Sequence, residues 1–311
     1  MSLVFTGCGK KEIKYPYDVN TTKNAFRFET YSQSSVADSF ASNLAVVGED
    51  IINGEEVETG EDSYVSAILI DTDDKEALYS KNAHAKLYPA SMTKVMTAIV
   101  ALENASPDQI LTFTEDCKVT EEGAQLAGLN PGDTMTLDQA LHILLIYSAN
   151  DVANMIATSI AGSVDSFCDM MNDKANELGA TNTHFVNPHG LHDENHYTTA
   201  YDMYLMFNEA TKLDSFNQII ALPEYSTSYK TADGTDKEFK CTSTNRYING
   251  KINAPTNSTV IGGKTGTTIA AGACLVLLSK DKSGRNYISC VMKGDNIDAT
   301  YGKTNKLLEL E

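Results

Sequence analysis

The 311-residue chain lacks an apolar run long enough to cross a bilayer once its first few residues are set aside. It has no internal repeat, and it is short of positive charge: 24 Lys and Arg stand against 42 Asp and Glu, a formal net charge of −18. That balance excludes nucleic acid and an anionic lipid face as partners. The shortage is concentrated. Positions 28–74 hold twelve acidic residues and no Lys or Arg, so the remainder is only mildly acidic. The six cysteines, Cys8, Cys117, Cys168, Cys241, Cys274 and Cys290, include no Cys-x-x-Cys pair. With Cys8 set apart an odd five remain, so buried free thiols are expected rather than a complete disulfide framework. His-Glu-x-x-His is missing too. His184, His189, His192 and His196 lie close together beside Asp193 and Glu194, the raw material of a zinc peptidase. Pro188 and Gly190 break any helix that would align them. We read them as loop histidines and expect no metal.

What is present falls into two parts. Residues 1–62 form an N-terminal approach: Leu3-Val4-Phe5-Thr6-Gly7-Cys8 resembles the end of a bacterial lipoprotein signal, with Cys8 as the lipidated residue. A polar leash follows, and the acidic stretch 49–62 serves as a linker. Val36, Phe40, Leu44 and Val47 are spaced for one short amphipathic helix. Residues 63–311 read as the catalytic domain. Runs 64–70 and 76–79 flank Asp71-Thr72-Asp73-Asp74 as a strand hairpin. Helices are expected over 137–147, 151–161, 164–178 and 198–210, with Thr198 or Thr199 capping the last. Strands follow Pro223, including 259–266, 272–279 and 286–292, and a helix over 298–310 closes the chain. Strands at both ends with helices between them predict an α/β domain, an antiparallel β-sheet flanked by helices with an inserted helical subdomain.

Three stretches carry chemistry. Pro89-Ala90-Ser91-Met92-Thr93-Lys94 opens an apolar helix, with Pro89 holding the start near Ser91. Positions three apart share a helix face, so the Lys94 amine stands over the Ser91 hydroxyl. A hydroxyl is a weak nucleophile, and a lysine activates it only if burial or another cation lowers its pKa. Ser-x-x-Lys recurs at Ser279-Lys280-Asp281-Lys282, but in a charged stretch read as a hairpin turn. Second, Ser148-Ala149-Asn150 joins two helices; Ser148 is a proton relay beside Lys94, and Asn150 a holder of a substrate amide carbonyl. Third, Lys264-Thr265-Gly266 ends a glycine-bearing strand, where a peptide backbone can lie alongside. Lys264 adds a cation that lowers the Lys94 pKa and attracts a carboxylate. Ser243-Thr244-Asn245 is read as an ordinary loop.

Taken in order, Ser91-x-x-Lys94, Ser148-x-Asn150 and Lys264-Thr265-Gly266 resemble the signature of penicillin-binding proteins and serine β-lactamases. Leu87-Tyr88-Pro89-Ala90-Ser91-Met92-Thr93-Lys94, Asn182-Thr183-His184-Phe185-Val186-Asn187-Pro188-His189-Gly190-Leu191 and His196-Tyr197-Thr198-Thr199-Ala200 are similar to the serine-type D-alanyl-D-alanine carboxypeptidases within that group. The resemblance runs from about residue 64 to the end and implies a β-lactamase/transpeptidase-like fold. It implies Ser91 as nucleophile, Lys94 as base, Ser148 and Asn150 as the second wall, and Lys264, Thr265 and Gly266 as substrate-binding. The N–H groups of Ser91 and Thr267 would hold the oxyanion. The implied partners are a peptidoglycan stem peptide and β-lactam antibiotics, with no cofactor.

Three departures stand out. Thr267 follows Lys-Thr-Gly, where many relatives carry another side chain. Relatives often have an arginine near the last helix to steady the substrate carboxylate, and none occurs over 286–311. The C-terminal β-rich domain and amphipathic anchor of many carboxypeptidases are not expected here. A lipid on Cys8 would take the anchor's place, putting the protein outside the cytoplasm on the bacterial surface. The rivals are a class A-like β-lactamase and a non-catalytic penicillin-binding sensor. The first would need a water-activating glutamate, and no Glu-x-x-Leu-Asn lies between the second and third motifs.

Overall fold

A computed structural model describes residues 44–52 and 64–311. The body opens with the hairpin β1 (Ser66–Asp71) and β2 (Glu76–Lys81). Asp71 makes the turn: its Oδ1 accepts the N–H groups of Asp73 and Asp74, both at 2.9 Å. A 3-10 turn, Ala90–Thr93, runs directly into α1 (Lys94–Asn104), and short strands β3 (Ile110–Thr112) and β4 (Thr134–Thr136) follow. Next come α2 (Leu137–His142), a π-helical turn (Ile143–Tyr147), α3 (Asn150–Ala161), α4 (Val164–Glu177), α5 (Ala200–Ala210) and α6 (Asp214–Ile220). The chain then forms β5 (Glu224–Lys230), β6 (Asp236–Thr242), β7 (Ser258–Thr268), β8 (Gly272–Asp281) and β9 (Asn286–Gly294), and ends in α7 (Ile297–Leu308).

The five-stranded sheet has the order β2-β1-β9-β8-β7, antiparallel throughout, which leaves β7 as an edge. A second sheet, β3-β4-β5-β6, belongs with the helical part. This is the expected α/β architecture. Its core explains the all-round apolar character of α1: every residue from Lys94 to Ala101 is buried. A helix buried on every side is a rigid platform, because its side chains have no solvent-facing freedom.

Several local readings change. The expected helix over 137–147 is α-helical to His142 and then widens: Ser148 N–H donates to Ile143 O at 3.1 Å, a five-residue closure. Ser279 lies in β8, fully buried, its hydroxyl bonded to Glu311 Oε1 at 2.5 Å; the turn begins beyond Asp281. Residues 44–47, the described end of the expected amphipathic helix, are not helical. Instead Ala45 exchanges hydrogen bonds with Tyr204 and Tyr201, and Ile51 pairs with Ser80. Segment 44–52, upstream of residue 63, thus packs on the body. The rest of that helix and Cys8 lie outside the described residues. Helix α6 and strands β3 and β4 were not expected, being too short to show a period. Among the described residues no helix is long and apolar enough to cross a membrane, and the five described cysteines are buried free thiols.

Candidate active site

Pro89 enters the Ser91 turn with φ −77°, but Ala90 then adopts a left-handed φ of +47°. Ser91 follows, and Lys94 Nζ lies 2.9 Å from its Oγ, one helical turn away as the spacing requires. The same Nζ donates to Asn150 Oδ1 and to the His189 carbonyl, each at 2.7 Å. Lys94 has no exposed surface. Burial, and then the nearby Lys264 charge, hold its amine well below the ordinary lysine range, with the Asp151 carboxylate opposing them.

Lys264 is buried as well, and burial alone brings its pKa down to about 7. Its Nζ donates to Ser148 Oγ and to Thr265 O, both at 2.9 Å. Ser148 reaches it because the π turn ends with Ser148 left-handed, at φ +69°. The expected Ser148–Lys94 contact is therefore replaced: Ser148 meets Lys264, and Asn150 is the residue of the second motif that meets Lys94. Ser91, Ser148, Thr265, Gly266 and Thr267 line one pocket of 240 Å³, and Lys94, Asn150 and Lys264 are buried behind it. All eight residues singled out in the sequence come together.

Gly266 meets a constraint that the sequence did not show. A Cβ there would stand 2.8 Å from Pro89 O and 3.0 Å from Ser91 N. The backbone lying close to it is the protein's own Pro89–Ser91 turn. Gly262 and Gly263 likewise admit Ile220 and the Val276 carbonyl.

The histidine segment packs beneath the turn. Thr97 Oγ1 donates to Pro188 O at 2.6 Å, next to the Lys94–His189 bond. His189 and His196 are buried, and burial lowers both to about 3. Among the described residues no group of three His, Cys, Asp or Glu is arranged to hold a metal.

Sequence reasoning missed one wall. Thr244 Oγ1 lies 2.7 Å from Thr265 Oγ1, and Thr244 and Arg246 line the pocket. Arg246 comes from the loop after β6 and meets α7 there: its guanidinium pairs with Asp298 and lies over the Tyr301 ring. Scarcity was the available signal, since the chain has only three arginines. Opposite, Asp151 accepts the Ala127 and Gly128 N–H groups at 2.9 and 3.0 Å. It thereby fixes the loop that carries Gln125 to the pocket.

The profile of a family described as D-alanyl-D-alanine carboxypeptidase, peptidase S11, matches residues 55–296. The chain is 35% identical over 250 residues to the D-alanyl-D-alanine carboxypeptidase DacF of Bacillus subtilis (strain 168), covering 78% of this chain and 61% of that protein. It is 32% identical over 250 residues to DacC of Escherichia coli (strain K12), where the shares are 78% and 59%. The chain thus spans about three fifths of the length of these curated relatives. The crystal structure of the Streptomyces K15 DD-transpeptidase superposes with a TM-score of 0.74 at 27% identity, covering 81% of this chain and 97% of that one.

The two buried amines are coupled through their charges. A charge on Lys264 disfavours a second charge on Lys94, so Lys264→Gln is expected to raise the Lys94 pKa. Titration of the Lys94 side chain by NMR measures this directly, and the midpoint must move to higher pH. An unchanged or lower midpoint would mean that burial alone sets the Lys94 amine.

Proposed function

The chain belongs to the S11 family of D-alanyl-D-alanine carboxypeptidases, and on that premise we propose that it is itself a serine carboxypeptidase that removes the terminal D-alanine of peptidoglycan stem peptides. One observation carries the reading: the wholly buried Lys94 amine, with Ser91 Oγ at 2.9 Å and two carbonyl oxygens at 2.7 Å. A neutral amine has two N–H groups and one lone pair. Asn150 Oδ1 and His189 O can only accept, so they take both N–H groups, and the lone pair faces the serine hydroxyl. Lys94 is then a base.

Ser91 Oγ attacks the carbonyl of the penultimate D-alanine while Lys94 takes its proton. Negative charge develops on the carbonyl oxygen, for which the Ser91 and Thr267 N–H groups are the donors. The intermediate collapses with proton return to the leaving nitrogen, and D-alanine departs. Water then attacks the ester, Lys94 again takes the proton, and the shortened peptide leaves with Ser91 restored. Ser148 is the hydroxyl through which the Lys264 and leaving-group protons communicate. Among the described residues that line the pocket none is a glutamate, so the water activation of class A β-lactamases has no counterpart there. A β-lactam presents the same carbonyl and acylates the same serine.

The terminal carboxylate of the substrate is read by Arg246, Thr265 and Thr267, with Lys264 supplying charge from below. The bidentate geometry of a guanidinium suits a carboxylate, and the reading is supported by Arg246 lining the pocket beside the last helix, which has no arginine of its own. Cys8 carries a lipid that tethers the domain to the outer face of the cell.

Ser91 is expected to be the sole serine labelled by penicillin, and Ser91→Ala to abolish both labelling and D-alanine release. Peptide mapping of the adduct checks this; an adduct on another serine, or release by the variant, sinks the reading. Arg246→Ala is expected to lower kcat/KM for a free-carboxylate substrate about 100-fold, in line with loss of a charged partner. It should scarcely change a C-terminally amidated one. Equal losses for both substrates would show that Arg246 does not read the carboxylate. Finally, Cys8→Ser is expected to release active protein from the membrane fraction of the native host; unchanged membrane association would exclude the lipid tether.

A further inference from the structure

Away from the reacting atoms, one buried chain of hydrogen bonds ends on the residue before the nucleophile. His196 Nδ1 accepts the Val186 N–H at 3.2 Å, which leaves the ring proton on Nε2. Nε2–H donates to Thr93 Oγ1 at 2.8 Å, and Thr93 uses its one hydroxyl proton on the Ala90 carbonyl, also at 2.8 Å. His196, Thr93 and Ala90 are each at most 1% exposed. Burial keeps the imidazole neutral, so this polarity persists at any working pH. The residue at the end of the chain is the left-handed Ala90, a conformation that an alanine holds only under constraint.

Ala90 C=O and Ser91 N–H belong to one trans peptide plane and point in opposite directions. Fixing the carbonyl therefore aims the N–H. Gly190 closes on the same carbonyl: a Cβ at that position would stand 1.9 Å from Ala90 O. Gly266 supports the turn from its other side.

We propose that Thr93 and His196 are positioning residues, a clamp that holds the Ala90–Ser91 peptide plane so that the Ser91 N–H faces the developing oxyanion and Ser91 Oγ faces Lys94. Neither side chain touches substrate. They act through the Ala90 carbonyl, and the proposal rests on Ser91 being the nucleophile, as argued above.

The test uses paired substitutions in the full chain. Thr93→Val keeps the shape and loses the hydroxyl, whereas Thr93→Ser keeps the hydroxyl. His196→Gln retains an N–H donor at the Nε2 position, whereas His196→Asn reaches only the Nδ1 position. The readouts are the acylation rate with a fluorescent penicillin, kcat and KM for a D-Ala-D-Ala peptide, and the affinity of a peptidyl boronic acid, whose tetrahedral adduct places an oxygen at the oxyanion position. Thr93→Val and His196→Asn are expected to slow acylation and kcat about 100-fold, the scale of a misaimed oxyanion donor. They should weaken the boronic acid by a similar factor and leave KM within about threefold. Thr93→Ser and His196→Gln should recover most of the loss. Ala90→Gly, which accepts the left-handed turn without constraint, should partly rescue Thr93→Val.

Wild-type rates in Thr93→Val and His196→Asn would overturn the clamp. So would Thr93→Ser and His196→Gln falling as far as their partners, since packing and not the hydrogen bonds would then be responsible. If Thr93→Val fails to fold, the two His196 variants decide by the same criterion. A wild-type protein that penicillin does not label at Ser91 would instead overturn the nucleophile assignment, a separate failure.

Discussion

Two lysine amines are buried in one cleft, and the site is built around the cost of charging both. Each ammonium loses its hydration on burial, and each repels the other across a medium of low dielectric. Burial and the Lys264 charge hold Lys94 well below the ordinary lysine range, and its partners are carbonyl oxygens and a hydroxyl rather than a carboxylate. Burial brings Lys264 down to about 7, and its contacts are a hydroxyl and a carbonyl. Asp151 lies near enough to be felt by Lys94, but its oxygens are occupied by backbone N–H groups. A carboxylate free to pair with Lys94 would favour the protonated amine and work against the base role proposed for it.

Such a site needs well-packed walls, because water beside either amine would offset the desolvation that lowers its pKa. The fold supplies them from closely packed elements. Lys94 projects from a helix buried throughout its first two turns. Ser148 leaves a π-helical turn in a left-handed conformation that directs it across to Lys264. The edge strand β7 brings Gly266 so near to the Pro89–Ser91 turn that any side chain there would collide with backbone. The third motif and the first are thus in direct contact, and the glycine is the condition for that contact.

The 182–200 segment, whose histidines invite a metal reading, packs against the Ser91 turn and the start of α1. Its carbonyls accept from Thr97 and Lys94, and its buried rings are kept neutral by the desolvation that lowers both to about 3. Histidine suits this work because a neutral ring accepts at one nitrogen and donates at the other, joining two groups in a fixed direction.

Much of this was legible in the order of residues. The three-residue spacing of Ser91 and Lys94 puts both on one helix face whatever surrounds them, and the apolar run after them dictates a buried helix. The hairpins, α3 to α5 and the three long C-terminal strands follow from period and turn chemistry, which act within a few residues. The tertiary structure alone decided which groups meet across the cleft. Ser148 pairs with Lys264 and Asn150 with Lys94 because of one left-handed residue at the end of a π turn, and no local periodicity encodes that. Thr244 and Arg246 look like an ordinary loop until β7 and α7 are packed beside them. Gly266 shows its reason only against a turn 175 residues earlier in the chain. Local spacing sets which side chains share a face. Desolvation, and with it the charge state of the two lysines, belongs to the packed whole.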